Sequence, residues 1–166
     1  MAIPTAGCMV IMLPSAENAI SRECLTALIN KFDIKGLFIN PEYKEVAEGQ
    51  PVKVFDIHDT DNVPGPTADV TKDDIAVICF SVNNSPDNPY GAMLSHGAIM
   101  RAAHNGLFIP GHTYNQRTIA ILPLSHVFGA IRGLLTCIYT GALVYACEDM
   151  SNIVFDIPKM KPTILT

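Results

Sequence analysis

The chain has 166 residues, of which 49% are hydrophobic and 16% charged, with a net charge of −5 and a mean hydropathy of +0.27. That is enough chain for one domain with a real core, and so little charge suits elements buried on both faces, as in a parallel sheet. The acidic balance excludes nucleic acid or an anionic membrane surface as the main partner.

The cysteines at 8, 24, 79, 137 and 147 are odd in number, lack a C-x-x-C spacing and sit in apolar contexts. They are expected as buried thiols in a reducing cytoplasm. Met1 leads into Ala-Ile-Pro without a basic region, so no signal peptide is expected. The longest apolar run, 127–147, contains Arg132 and is broken at Thr140-Gly141-Ala142. It therefore predicts a helix followed by a strand, with no membrane span.

Gly7 to Leu13 predicts a strand ended by Pro14. Ser15 is the expected cap of a helix running to Phe32, with Ile20, Cys24, Leu25, Leu28, Ile29 and Phe32 on one face and Gly36 closing it. Leu37 to Ile39 reads as a second strand, Pro41 to Glu48 as a short helix, and Val52 to Phe55 as a third strand. Such alternation predicts parallel strands joined by right-handed crossovers.

Residues 56–74 break the alternation. They carry Asp56, Asp59, Asp61 and Asp69 together with His58, Pro64, Gly65 and Pro66. Asp56, His58, Asp59 and Asp61 have metal-ligand chemistry, but no later cluster completes a site, so the stretch reads as a solvated linker. The expected layout is one partial domain over 1–166, its sub-halves 1–55 and 75–166 joined by the acidic linker 56–74.

Ile75 to Phe80 is a short apolar run with a turn cluster after it, the pattern of a buried strand. The chain re-enters apolar residues at Ala92-Met93-Leu94, and Ser95 stands as the N-cap of a helix with Ile99, Ala102, Ala103 and Gly106 on one side. After a turn at Pro110-Gly111 come a strand from Thr118 to Leu122, a helix from Val127 to Tyr139 and a strand from Leu143 to Ala146. A helical stretch from Asn152 to Met160 and a strand at Thr163 to Leu165 complete the series.

Gly91-Ala92-Met93-Leu94-Ser95-His96 resembles the end of the signature loop of the adenylate-forming enzymes, the AMP-binding superfamily of acyl-CoA synthetases, luciferases and peptide-synthetase adenylation domains. The family loop reads roughly Tyr-Thr-Ser-Gly-Thr-Thr-Gly-x-Pro-Lys-Gly and covers Ser81 to Gly91 without gaps. Pro89 and Gly91 match it. Asn84 and Asp87 stand at its glycines, Pro86 at its second threonine and Tyr90 at its lysine. Ile121 to Gly129, ILPLSHVFG, is similar to the family's second signature, and Gly141-Ala142 and Lys161-Pro162-Thr163-Ile164 fall where it has equivalents.

The resemblance implies an α/β fold, a largely parallel sheet flanked by helices, equivalent to part of the large N-terminal domain of an acyl-CoA synthetase. It implies a parent that uses ATP and Mg²⁺ to convert a carboxylic acid to an acyl-adenylate and then to a thioester with coenzyme A. The likeness covers only a middle portion of the family pattern. The Tyr-Gly-x-Thr-Glu and Thr-Gly-Asp segments and the small domain with its catalytic lysine have no counterpart, which implies a fragment or truncated homologue, inactive by itself. Sheet edges left uncovered by truncation predict self-association. No catalytic residue and no metal ligand is assigned.

In the family this loop wraps the ATP phosphates. Here Asn83, Asn84 and Ser85 still donate, Pro86 removes an N–H, Asp87 adds an anion and Tyr90 brings no charge, with Ser81 and Pro89 completing the degenerate set. One carboxylate ~5 Å from a phosphate charge costs roughly 3 kcal/mol at an effective dielectric near 20. That alone is on the order of a hundredfold in affinity. The structural alternative is that Asn88-Pro89-Tyr90-Gly91 is a β-turn joining two strands.

The resemblance also implies that His126, with Phe128 and Gly129, lines the carboxylate end of the acyl pocket. The other reading is that His126 and Ser125 cap the next helix. Neither Ser125-His126 nor Ser95-His96 makes a nucleophile–base pair, since adjacent side chains rarely face each other. His96, His104 and His112 are spaced by eight, which builds no metal face on a helix. A non-catalytic homologue that kept the scaffold remains the rival reading. A flavodoxin-like binding domain is disfavoured by the lack of a phosphate loop after the first strand.

Overall fold

Helix α2, Arg22–Phe32, shows how the first half is built: Leu25, Leu28 and Ile29 recur at helical spacing and are buried. The computed structural model describes residues 2–13, 20–58, 67–80, 90–106, 115–147 and 150–165. Ser21, not Ser15, caps α2: its extended backbone aims Oγ at the Cys24 N–H, 3.2 Å away. Ser15 lies outside the described residues. Nor does Gly36 close the helix. Asp33 does, at φ 51°, its N–H donating to Ile29 O. A short polar side chain tolerates that left-handed conformation, and Lys35 Nζ holds the Asp33 carboxylate at 2.5 Å. Gly36 instead opens strand β2, where a Cβ would stand 3.1 Å from the Phe55 ring.

A short helix α1, Ala2–Thr5, precedes strand β1, Val10–Met12. Strand β2, Gly36–Ile39, leads through a 3-10 turn at Pro41–Tyr43 into α3, Lys44–Ala47, and then to β3, Lys53–Asp56. Strands β2 and β3 pair in parallel, Leu37 opposite Val54. Leu25, Ile29, Leu37 and Ala47 close a core on which Leu13, Ile34, Val46 and Val52 pack.

The apolar run 75–80 forms strand β4, Ile75–Phe80. It pairs in parallel with β1 on one edge, Ile11 opposite Ile78. On the other edge it pairs antiparallel with β5, Gly91–Ser95, Phe80 opposite Gly91. The connection back from the acidic stretch runs against the first residues, where Ala68 N–H donates to Thr5 O at 3.0 Å. Helix α4, His96–Asn105, follows β5 without a break, and Ser95 Oγ accepts the Ala98 N–H at 3.2 Å. Such a cap is worth about 1 kcal/mol. On α4 it is Ala103 and Gly106 that are buried, whereas Ala102 faces solvent.

Beyond α4, strand β6, Arg117–Ala120, lies between β7, Leu143–Ala146, and β8, Ile164–Leu165, all parallel. Ile119 at its centre is fully buried. Between β6 and β7 the predicted helix is present but wound differently. Gly129–Leu135 is π-helical, with α-helical Val127 and Phe128 before it and Thr136–Thr140, α5, after it. Gly141, at φ 68°, ends it. A 3-10 turn at Met150–Asn152 and helix α6, Ile153–Met160, lead into β8.

Among the described residues the strands thus form three sheets, β1-β4-β5, β2-β3 and β7-β6-β8, and every pair except β4–β5 is parallel. The fold is α/β, as the sequence predicts, with the parallel strands divided among sheets. No helix among the described residues is long and apolar enough to cross a membrane. Cys79 and Cys137 are buried as expected, but Cys8 is exposed, because it precedes β1 rather than lying in it.

Asp74 fastens the turn that feeds β4: its carboxylate accepts the Thr71 N–H at 2.7 Å and its carbonyl accepts the His96 N–H at 3.0 Å. The Thr71 N–H, then the Thr71 hydroxyl, hold the Asp74 carboxyl below its ordinary value. The folded value lies below the unfolded one, so this stabilisation is complete above the unfolded value of about 3.9 and is lost as pH falls through the lowered one. Asp74→Asn removes that dependence. Urea unfolding at several pH values is expected to show a shallower acid limb for the variant than for the native chain.

Candidate functional site

The loop that the sequence singles out joins the end of β4 to the start of β5. Of its candidate residues, Tyr90 and Gly91 are described; Ser81, Asn83, Asn84, Ser85, Asp87 and Pro89 lie outside the described residues. Because β4 runs parallel to β1, the loop leaves the sheet at the carboxyl end of both strands, the edge where ligands of α/β sheets bind.

Gly91 is required by packing. A Cβ there would collide with the Ile78 side chain and come within 3.1 Å of the Phe80 ring. Tyr90 projects outward, 72% exposed. The end of α2 borders it: Lys31 Nζ lies 5.8 Å from the Tyr90 ring centroid and 5.9 Å from that of Phe32, whose ring meets Phe80 edge-on at 5.7 Å. A cation therefore stands beside the loop's root, but on the helix rather than on the loop. The sequence reading missed Lys31, since nothing in its spacing relates residue 31 to residue 90.

His126, Phe128 and Gly129 follow β6. His126 N–H donates to Pro123 O at 2.9 Å, and its ring Nδ1 accepts the Phe128 N–H at 3.2 Å. The imidazole thus satisfies one of the orphan donors at the start of a helix. Both His126 and Phe128 are exposed, the latter by 50%. Gly129 is buried against backbone: a Cβ would strike Pro123 O and stand 2.8 Å from Leu122 O. His104 is no metal ligand in this arrangement; its Nδ1 lies 3.3 Å from the Tyr139 hydroxyl, with the rings edge to face. His112 lies outside the described residues. Among the described residues no group of His, Cys, Asp and Glu is placed to hold a metal ion.

Helix α4 spans the two regions. It begins at Ser95, directly after the loop's return strand, and ends at Gly106, whose carbonyl accepts a hydrogen bond from the buried Arg132 at 2.6 Å. The signal for Arg132 was available in the sequence as the lone charge in the apolar run 127–147. A shallow depression lined by Ile29, Asp33, Lys35 and Lys53 contains none of the sequence-predicted residues.

The β4–β5 return, the Ser95-capped helix after it and the Pro123-x-x-His126 turn after β6 stand where the sequence resembles the adenylate-forming enzymes. The sequence profile of the AMP-binding enzyme family matches residues 1–166, and the chain belongs to that family. It is 27% identical over 96 residues to long-chain-fatty-acid–CoA ligase 6 of Mus musculus, covering 55% of this chain and 14% of that protein.

Solved structures that share the fold include three with a TM-score of 0.78. They are ATP-bound MatB from Rhodopseudomonas palustris, at 18% identity over 99% of this chain and 35% of that one; the anthranilate CoA ligase AuaEII with anthranoyl-AMP, at 19% over 98% and 36%; and the fatty acyl-adenylate ligase from L. pneumophila with acyl adenylate and pyrophosphate, at 16% over 97% and 30%. The chain spans about a third of the length of these structures.

Replacing Gly129 by alanine sets a methyl against two backbone carbonyls that cannot yield. A loss of about 1–3 kcal/mol in urea unfolding is expected, with displacement of the Phe128 amide resonance, since the contact fixes the start of the π-helix.

Proposed function

We propose that this chain forms part of an acyl-CoA synthetase-like ligase scaffold, one that elsewhere joins a carboxylic acid to AMP and then to the thiol of coenzyme A, and that by itself it is inactive. The observation that carries the reading is the β4–loop–β5 hairpin at the sheet edge, within a family match running the whole chain. The mouse relative's name, a long-chain-fatty-acid–CoA ligase, supports a fatty acid as the acyl substrate class. On this reading His126, Phe128 and Gly129 border the carboxylate end of the acyl site. The buried thiols Cys79 and Cys137 suit a reducing cytoplasm.

The residues present do not fit a magnesium-bound triphosphate. Pro86 and Asp87 remove a donor and add an anion, and the exposed Tyr90 ring stands where the family carries its lysine. Lys31 lies over aromatic rings, and one cation beside the root does not replace convergent loop donors. No step through ATP or Mg²⁺ is therefore assigned to this chain. The same substitutions favour a second reading, a non-catalytic homologue in which the scaffold outlived its chemistry.

Calorimetry with MgATP is expected to show no binding tighter than about millimolar. Asp87→Gly should raise the affinity by on the order of a hundredfold, and adding Tyr90→Lys should raise it further by a comparable factor. Micromolar binding by the native chain would overturn the reading. Fatty-acid-dependent exchange of pyrophosphate into ATP by this chain would overturn its inactivity. The same exchange in any longer protein that contains it would rule out the non-catalytic reading.

Exposed Met93, Val154, Phe155 and Leu165, with β5, β7 and β8 at sheet margins among the described residues, support self-association. Light scattering is expected to give a mass above 18.0 kDa that rises with concentration. A monodisperse monomer at high concentration would refute it.

A further inference from the structure

Arg132 is 8% exposed, and among the described residues no carboxylate pairs with it. Burial lowers its proton affinity, although a guanidinium stays charged. A buried cation is costly unless hydrogen-bonded. Its Nη1 donates to Gly106 O at 2.6 Å. Gly106 closes the ten-residue helix α4, so that carbonyl sits at the negative end of a helix dipole.

Residues from three elements converge there: Gly106 at the end of α4, Arg132 in the π segment and Thr136 in α5. A Cβ on Gly106 would stand 2.6 Å from Thr136 Cγ2, 2.8 Å from its Oγ1 and 2.9 Å from Arg132 Nη1. Thr136 is fully buried, and both its N–H and its hydroxyl donate to Ile131 O, the latter at 2.9 Å. Cys137 Sγ, 3.6 Å from Arg132 O, repeats the five-residue step. The Thr136 N–H bond is the backbone step of a π-helix, which the hydroxyl and the thiol follow with side-chain bonds of the same spacing, and that winding is rare enough to require enforcement by its surroundings.

The winding sets direction. Each residue inserted into an α-helix turns the segment before it by about 100° relative to the segment after it. His126 and Phe128 come before the π segment, while the buried Thr136 and Cys137 anchor the α-helical turns beyond it. We infer that Arg132 is a positioning residue for His126 and Phe128: its bond to the Gly106 carbonyl holds the π-helical phase in which those two side chains are presented. The consequence for acyl binding rests on the reading of these residues proposed above.

The test compares the native chain with Arg132→Met, which keeps length and loses the donors, and Arg132→Lys, which restores a cationic donor. Amide NMR and hydrogen exchange are read at Phe128, Thr136 and Cys137, and octanoate is titrated into each protein. Arg132→Met is expected to displace the Phe128 amide and to cut protection at Thr136 by about tenfold, while β6 and β7 resonances stay in place. Arg132→Lys should recover part of both.

Octanoate should shift Phe128 in the native chain and bind about tenfold more weakly to Arg132→Met. If the native chain ignores octanoate, the acyl-site reading fails while the amide measurements still decide the positioning. Unchanged Phe128 and Thr136 amides in Arg132→Met overturn the inference. Should that variant fail to fold, Arg132→Gln, whose shorter side chain does not reach the Gly106 carbonyl, takes its place. Displacement of Phe128 in it supports the inference, and an unmoved Phe128 overturns it.

Discussion

Strand β4 is hydrogen-bonded on both edges, and that constraint organises much of what surrounds it. A strand with Ala76, Ile78 and Cys79 buried needs cover on its faces and partners for its backbone. Residues 10–12 supply one edge from far away in sequence. Residues 91–95 supply the other from just across the loop. The first pairing ties the beginning of the chain to its middle. The second makes the candidate loop a hairpin connection, so its two ends are fixed by the sheet whatever residues lie between them. Gly91 opposite Phe80 shows how tight that return is.

The loop and the residues after β6 are joined through α4. At its start, the helix takes the Ser95 cap and the Asp74 carbonyl. At its end, the Gly106 carbonyl takes the Arg132 guanidinium. A helix fixed at both ends transmits position, because its hydrogen bonds leave little slack along its length. This gives the π segment a reference against which its unusual winding can be held. Thr136 and Cys137, without exposure, leave it no room to relax into solvent.

The chemistry implied by the family and the chemistry present in the chain part company at a few positions. Scaffold residues such as Gly91 and Gly129 meet steric demands visible in the structure. Asp87 and Tyr90 stand where the family signature has a glycine and a lysine. Packing constrains a residue wherever the fold is retained, whereas charge complementarity constrains it only where a ligand is bound. On the proposed reading, that difference lets the frame of a signature survive where one N–H and the cation are replaced.

Apolar runs and cap residues made much of the fold legible from the sequence. Ile75–Phe80, Leu143–Ala146 and the Ser95 cap fall where the sequence puts them, because each depends on local pattern alone. The helix start near Val127 was legible in the same way. Local pattern failed where packing of the helix on the core sets its ends. Ser21 rather than Ser15 caps α2, and Asp33 rather than Gly36 ends it, since the core contacts of Leu25 and Ile29 fix where the helix must stop. The division of the parallel strands among sheets, Lys31 beside Tyr90 and the π winding under Arg132 were decided by tertiary structure. Each depends on contacts between residues far apart in the chain, and no periodicity within one segment encodes what another segment brings to it.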